Sequence, residues 1–128
     1  MAPRTPEADP GALPEYAEMV LDLVEQIPSG RVLAYGDVAE LIGRGGARQV
    51  GSVLSRYGSS VPWWRVIRAS GEAPPGLLDE ALARWRAEGM PLAGGALGSR
   101  VDMVRARWDG EGLPGGRERR APWEGSQH

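Results

Sequence analysis

Short amphipathic segments ended by glycine or proline fill residues 16–57 and limit the fold more than any other feature of the sequence. In the first segment, apolar residues recur at spacings of three and one, which places them on one face of a helix. They are Tyr16, Met19, Val20, Leu23, Val24 and Ile27. Pro28 and Gly30 then end the helix. A chain of 128 residues is long enough for one compact domain with one core, so we expect such helices to pack together.

Two further helical segments follow, joined by a glycine turn. Residues 31–35 favour a short strand, and Gly36-Asp37 offers an N-cap for a second helix that ends at Gly43. After a Gly45-Gly46 turn, residues 47–57 predict a third helix. Two short helices joined by a glycine turn are typical of a helix-turn-helix.

The following segments indicate the fold class. Residues 61–67 favour an extended conformation and predict a short wing or hairpin, while residues 77–88 return to a helical period. We therefore expect a mainly α, winged helix-turn-helix-like DNA-binding domain over residues 14–92.

The two ends of the sequence lack a sustained apolar pattern. Residues 1–13 carry three prolines, which predicts a flexible leader. Residues 93–128 are dense in glycine, arginine and proline, with only a hint of a short helix near Met103. We expect the ordered core to end near Leu92 and residues 93–128 to form a mostly disordered tail.

Composition restricts the chemistry available to the chain. It has no cysteine, and its one histidine is His128. Disulfides, thiolate metal sites and thiol nucleophiles are therefore excluded, and Ser-His catalysis is not expected. Because the carboxylates also fall mainly on the solvent faces of helices, we expect no metal, no cofactor and no enzymatic turnover.

Charge is distributed unevenly along the chain. The formal net charge is -2 at pH 7, but residues 30–68 carry six arginines against two acidic residues, a local balance of +4. The arginines are Arg31, Arg44, Arg48, Arg56, Arg65 and Arg68. A basic region that coincides with the helix-turn-helix favours contact with nucleic-acid phosphates.

The sequence gives no sign of a membrane or secreted protein. No apolar stretch approaches the roughly 18 to 20 residues that span a bilayer. The N-terminus has neither an apolar signal core nor a basic leader. We therefore expect a cytoplasmic protein that is associated with the nucleoid when bound to DNA.

Three segments, in order, resemble the DNA-binding half of the O6-alkylguanine-DNA alkyltransferases: IPSGRVLAYGDVAELIG, GARQVGSVLSRYG and VPWWRVI. With the helix that follows, the resemblance covers residues 16–92. The family's last motif is a Pro-Cys-His-Arg-Val box, whose cysteine accepts the alkyl group. This sequence has Trp63 and Trp64 in place of the cysteine and histidine. Since an indole N–H has no accessible lone pair, alkyl transfer by the family's route is excluded.

A branch of the family with tryptophan at the cysteine position, the alkyltransferase-like proteins, is similar to this chain. The resemblance implies a non-enzymatic DNA-damage sensor that binds O6-alkylguanine in double-stranded DNA by nucleotide flipping. It also implies that the protein presents the lesion to nucleotide excision repair proteins. We expect a monomer that does not bind membranes.

The resemblance implies roles for individual residues. Arg48 matches the arginine that enters the base stack, although an exposed helix arginine can also bind only phosphate or water. Tyr35 matches the tyrosine beside the flipped nucleotide, or is a partly buried packing residue. Trp63 forms part of the pocket wall, or is a core tryptophan. We expect Trp64 in the core and Arg65 paired within the fold.

The third helix is the expected DNA-contacting helix. By resemblance it lies in the minor groove, where the small residues Gly51 and Ser52 allow close approach to the DNA backbone. Arg56 points outward on the same helix and is a further candidate for DNA binding. Leu54 either lines the pocket or simply packs.

The sequence also departs from the enzymes at two loops. Their Arg-Gly-Asn-Pro hinge is replaced by residues 56–60, which lack the asparagine. Their Tyr-Ser-Gly-Gly loop is replaced by Pro74-Pro75-Gly76, which removes two side chains that contact the base. We hypothesise that this change opens the pocket to bulkier adducts.

Two other interpretations fit parts of the sequence. An ordinary winged-helix regulator would read undamaged DNA through the major groove as a dimer. An adaptor would use the pocket to bind a partner protein, and would show no salt-dependent affinity for DNA.

Overall fold

The computed structural model describes residues 14–113 and is mainly helical. In chain order the elements are α1 (Glu15–Gln26), β1 (Leu33–Ala34), α2 (Tyr35–Ile42), α3 (Ala47–Tyr57), β2 (Val66–Ile67), α4 (Leu78–Glu88), β3 (Leu92–Ala93), β4 (Arg100–Val101) and α5 (Met103–Ala106). Short 3-10 turns cover Gly58–Ser60, Trp63–Arg65 and Gly95–Leu97. The expected leader, residues 1–13, and residues 114–128 of the expected tail lie outside the described residues.

Helix α1 follows the amphipathic period seen in the sequence. Its inward residues Ala17, Val20, Leu23 and Val24 are buried, and Ile27, in extended backbone, ends it. No helix within residues 14–113 combines the length and hydropathy needed to cross a bilayer.

Helices α2 and α3 form the expected helix-turn-helix, but α2 starts earlier than the sequence indicated. Ala34 is the N-cap residue, so Tyr35 opens the helix instead of closing the preceding strand. The expected N-cap, Gly36-Asp37, therefore lies in the first turn. Asp37 Oδ2 still stabilises that turn, because it accepts a hydrogen bond of 2.9 Å from the Ala34 N–H. Gly43, with φ of 92°, ends α2 in the left-handed conformation that glycine favours.

The expected wing at residues 61–67 is not a hairpin. The Trp63–Arg65 segment forms a 3-10 turn, and β2 pairs in parallel with β1, with Leu33 opposite Val66. Val66 and Ile67 are both fully buried, as is usual for a strand covered on both faces. A short antiparallel hairpin does occur, but β3 and β4 form it.

The ordered chain continues well past Leu92, which corrects the expected boundary. Within residues 93–113, Val101, Ala106 and Trp108 are buried. The backbone N–H of Trp108 donates to the Val32 carbonyl at 2.8 Å, and the backbone N–H of Val32 donates to the Ala106 carbonyl at 3.0 Å. The expectation of a mostly disordered tail therefore fails for residues 93–113, because Val101, Ala106 and Trp108 pack into the two apolar clusters of the core.

The β1–β2 pair separates two apolar clusters. Leu33 and Val66 belong to a cluster built mainly from α1, α2 and α3, to which Trp108 is added. Val32 and Ile67 belong to a second cluster around the fully buried Trp85 of α4. Tyr35 packs against the first cluster and Trp63 against the second.

Candidate nucleic-acid interface

An open cleft of about 1230 Å³ runs beside α3 and the 3-10 turn at residues 63–65. A loop at residues 74–77 and the first turn of α4 close its other side. Its lining comprises Tyr35, Ala47, Arg48, Gly51, Leu54, Ser55, Gly58, Ser59, Trp63, Arg68, Pro74, Pro75, Leu77 and Glu80.

The cleft brings together most of the candidate residues chosen from the sequence. Tyr35, Arg48, Gly51, Leu54 and Trp63 all line it. These residues come from three separate segments of the sequence. It supports their assignment to one site, whose role in binding stays a prediction.

Two candidate residues lie outside the cleft, and two residues that the sequence did not indicate line it. Ser52 and Arg56 are exposed on α3 but do not line the cleft, so they remain candidates for contact outside it. Arg68 and Glu80 line the cleft and were not selected from the sequence. The cluster of arginines in residues 30–68 was the one signal that included Arg68.

The outer face of α3 is polar and carries unpaired positive charge. Val50 is the only residue of the helix that is buried. Arg48 and Arg56 are exposed, and neither side chain has a hydrogen bond or ion pair within residues 14–113. Cations left without an internal partner are free to neutralise phosphates or enter a base stack.

Tyr35 presents its ring to the cleft beside α3. Burial raises the pKa of its hydroxyl, and the nearby Arg68 guanidinium only partly opposes that rise. The hydroxyl is therefore protonated at neutral pH and can both donate and accept a hydrogen bond. A Cβ at Gly51 would lie 3.9 Å from the Tyr35 ring, an ordinary contact. Packing within the protein thus does not require glycine at residue 51.

Trp63 is half-buried at the wall of the cleft, where the resemblance places the family's reactive cysteine. Its ring meets that of Trp64 edge to face, with centroids 5.7 Å apart and planes at 85°. Its backbone N–H donates to the Val61 carbonyl at 2.7 Å. Trp63 thus lines the cleft and also packs against the second apolar cluster, while its contact with a flipped base stays a prediction.

Behind this wall, Glu88 at the end of α4 joins three segments of the chain. Its Oε1 accepts a hydrogen bond from the Gly30 N–H at 2.9 Å. Its Oε2 accepts from Trp64 Nε1 at 2.7 Å and from Arg65 Nη2 at 2.6 Å. Arg65 Nη1 also donates to the Ile27 carbonyl at 2.8 Å. The expected pairing of Arg65 within the fold is present, while Trp64 is half-buried rather than a full core residue.

The charge of Glu88 is maintained by these contacts. Burial alone would raise the pKa of its carboxyl group. Hydrogen bonds from Arg65, the Gly30 backbone and Trp64, with the Arg65 charge, outweigh burial and hold the pKa below its ordinary value. Within residues 14–113, no group of three or more acidic, histidine or cysteine side chains is arranged to hold a metal ion.

Residues 15–90 match the sequence profile of the family described as 6-O-methylguanine DNA methyltransferase, DNA binding domain. The chain belongs to this family. A family member from Escherichia coli (strain K12), named DNA base-flipping protein, is 39% identical over 97 residues, which are 70% of this chain and 71% of that protein. Alkyltransferase-like protein 1 of Schizosaccharomyces pombe is 40% identical over 60 residues, or 44% of this chain and 56% of that one.

The fold is also shared with a solved structure of the family. That structure is S. pombe Atl1 in complex with damaged DNA containing O6-carboxymethylguanine. The two chains superpose with a TM-score of 0.62 at 29% identity, covering 73% of this chain and 94% of the other. The family members compared thus include one named for base flipping and one solved on damaged DNA.

Proposed function

We propose that this chain binds O6-alkylguanine in double-stranded DNA by flipping the damaged nucleotide into the cleft, and that it transfers no alkyl group. The cleft carries the proposal, because Trp63 forms its wall where the family has a reactive cysteine and Arg48 is exposed beside it. The name of the E. coli relative and the damaged DNA bound by S. pombe Atl1 support the same function.

Flipping leaves a gap in the base stack, and we propose that Arg48 fills it. Arg48 is the second residue of α3 and is exposed, so it extends from the start of the helix without an internal partner within residues 14–113. A planar guanidinium can stack between bases and donate to the orphaned cytosine. Extrusion costs a few kcal/mol, less for a pair already weakened by alkylation, which favours the damaged nucleotide.

The composition of the chain and the side chains at the wall support the proposal that no alkyl group is transferred. Displacement of an alkyl group needs a nucleophile, and the chain has no cysteine. The raised pKa of Tyr35, caused by burial, disfavours the phenolate that could attack instead. After incubation with a duplex containing O6-methylguanine, the mass of the intact protein is expected to stay unchanged; a gain of one methyl group would contradict this part of the proposal.

The cleft is also suited to adducts larger than methyl. Pro74 and Pro75 line it where the enzymes carry tyrosine and serine by resemblance. Proline rings offer an apolar, rigid wall and no hydroxyl that must be satisfied. We expect affinity to be kept from methyl to bulkier O6-alkyl groups; an equal loss for every adduct larger than methyl would contradict this.

Fluorescence anisotropy of two matched duplexes tests the proposal. One duplex carries a single O6-methylguanine and the other is undamaged, and both are titrated at one fixed salt concentration. We expect preference for the damaged duplex in the wild type and its loss in Arg48→Ala. Arg86→Ala is the control, because Arg86 is also an exposed helix arginine but does not line the cleft. Equal binding to both duplexes by the wild type would favour a winged-helix regulator instead.

We further infer that the protein acts as a monomer and marks the lesion for nucleotide excision repair. The repair step comes from the resemblance, and the monomer is expected because nothing in the sequence suggests a long dimerisation helix. Sedimentation analysis should give the mass of one chain. A reconstituted excision assay on DNA with one O6-alkylguanine should show more incision when the protein is added; no increase would remove the repair step from the proposal and leave lesion binding standing.

A further inference from the structure

Trp64 is fixed at three points of the structure. Its Nε1 donates to Glu88 Oε2 at 2.7 Å, and its carbonyl accepts a hydrogen bond of 2.8 Å from Nε1 of the fully buried Trp85. The Arg84 guanidinium lies over its ring, 4.4 Å from the centroid. The carboxylate and the stacked cation hold the side chain, and the core tryptophan holds the backbone of the same residue, so the ring of Trp64 has little freedom to change rotamer.

The side chain of Trp63, the residue at the wall of the cleft, has no comparable hydrogen bond or stacked cation within residues 14–113, although its backbone N–H donates to the Val61 carbonyl. Within residues 14–113 its indole N–H has no hydrogen-bond partner, and its ring is half-buried. The edge-to-face contact with Trp64, at 5.7 Å between centroids, is in the favourable range for aromatic pairs. The orientation of the Trp63 ring is therefore coupled to the ring of Trp64, which is itself held rigidly.

We propose that Trp64 is a positioning residue that fixes the ring of Trp63 in the orientation that receives the flipped base. This inference rests on the proposed function. In the enzymes, by resemblance, the same position holds a histidine that moves protons. An indole N–H cannot accept a proton, so here the contact with Glu88 serves as a fixed support and has no part in proton transfer.

Preorganisation predicts how variants of Trp64 behave. If the Trp63 ring is free to rotate, binding must order it, and affinity falls. Trp64→Phe keeps an aromatic edge but loses the hydrogen bond to Glu88, whereas Trp64→Ala loses both. We expect affinity for the O6-methylguanine duplex to fall about threefold in Trp64→Phe and about tenfold in Trp64→Ala. Affinity for the undamaged duplex should not change, since no flipped base contacts Trp63 there.

Met90→Ala provides a control for lost stability. Met90 is 4% exposed in the same apolar cluster but does not line the cleft, so its substitution destabilises the fold and leaves every residue of the cleft lining unchanged. Binding is measured at a temperature at which every variant is folded. The ratio of affinities for damaged and undamaged duplexes should be that of the wild type in Met90→Ala and lower in both Trp64 variants.

Fluorine NMR of protein labelled with 5-fluorotryptophan gives a readout independent of binding. The Trp63 signal, assigned by its absence in Trp63→Phe, should be single and sharp in the wild type and Met90→Ala, and shifted or broadened in Trp64→Ala. An unchanged Trp63 signal and an unchanged affinity ratio in Trp64→Ala would overturn the inference. Should the wild type not discriminate between the duplexes, the proposed function fails, and the fluorine signal still decides whether Trp64 orders Trp63.

Discussion

Replacing Glu88 by glutamine tests the network that supports the cleft wall. Glutamine has nearly the same shape, but it exchanges one carboxylate oxygen for an NH2 group that can only donate. That group would face the Trp64 and Arg65 donors, which now bond to Oε2 at 2.7 Å and 2.6 Å. The remaining amide oxygen can still accept from Gly30.

The expected loss of stability in Glu88→Gln depends on how deeply the ion pair between Glu88 and Arg65 is buried. The side chains of Arg65 and Glu88 are only 16% and 11% exposed. Removing one partner of such a pair costs about 3 to 5 kcal/mol, because the other charge stays buried without compensation. Glutamine keeps part of the hydrogen bonding, so we expect the free energy of unfolding to fall by about 3 kcal/mol.

The effect should depend on pH in a defined direction. The folded pKa of Glu88 is below its ordinary value, chiefly because hydrogen bonds from Arg65, Gly30 and Trp64 outweigh the effect of burial. The carboxylate therefore stabilises the fold fully above the unfolded value of about 4.3, and this contribution is lost as the pH falls through the folded pKa. The difference between wild type and Glu88→Gln should be constant from neutral pH down to about 5 and should narrow below about 4.

Urea denaturation followed by far-UV circular dichroism measures both the free energy of unfolding and its dependence on pH. The matched control is Glu25→Gln, because Glu25 is exposed on α1 and has no hydrogen-bond or salt-bridge partner for its side chain within residues 14–113. Its substitution should change stability by less than about 0.5 kcal/mol. The reasoning fails if Glu88→Gln lies within about 1 kcal/mol of the wild type at pH 7, or if the difference widens as the pH falls.

Three other substitutions test separate parts of the account. Gly51→Ala should raise the free energy of unfolding by about 0.5 to 1 kcal/mol, since the added Cβ would meet the Tyr35 ring only at 3.9 Å. The same substitution should weaken duplex binding in anisotropy titrations, and undiminished binding would show that α3 does not approach DNA at residue 51. Trp108→Ala should cost about 3 to 5 kcal/mol in urea denaturation because Trp108 is 7% exposed, and a loss below about 1 would contradict its place in the core. Asp37→Ala removes the acceptor for the Ala34 N–H, at 2.9 Å, and for Arg107 Nε, at 3.0 Å. The free energy of unfolding should fall by about 1 kcal/mol, and amide hydrogen exchange at Ala34 should be faster; unchanged exchange would rule out the cap.

The helices could be predicted because their signals are local. The apolar period from Tyr16 to Ile27 needs only neighbouring residues to be recognised, and it matches the buried face of α1. Gly43 and Gly89, with φ of 92° and 69°, end α2 and α4 where other residues would be strained.

The strand pairing and the C-terminal segment could not be predicted because they depend on distant partners. Nothing near Val66 indicates that it lies opposite Leu33, since parallel pairing is set by the packing of both clusters. Trp108 stands in a glycine- and arginine-rich stretch without a period, and its place in the core depends on burial against distant helices and on a backbone hydrogen bond to Val32.

The cleft was predictable only in part, because its motif residues could be recognised in the sequence but its other lining residues could not. The resemblance supplied Tyr35, Arg48 and Trp63 as members of one site, and the structure brings them to one cleft. It could not supply Arg68 or Glu80, because the motifs carry no information about which side chains the 74–77 loop and α4 place opposite α3.

The most direct test of nucleotide flipping uses a duplex with a fluorescent cytosine analogue, pyrrolocytosine, opposite a single O6-methylguanine. The analogue is quenched while stacked and paired, and it brightens when its partner leaves the helix. We predict a rise in emission that follows binding by the wild type, and a much smaller rise with Arg48→Ala at equal occupancy. Binding detected by anisotropy without any rise in emission would contradict the central claim that the damaged base enters the cleft.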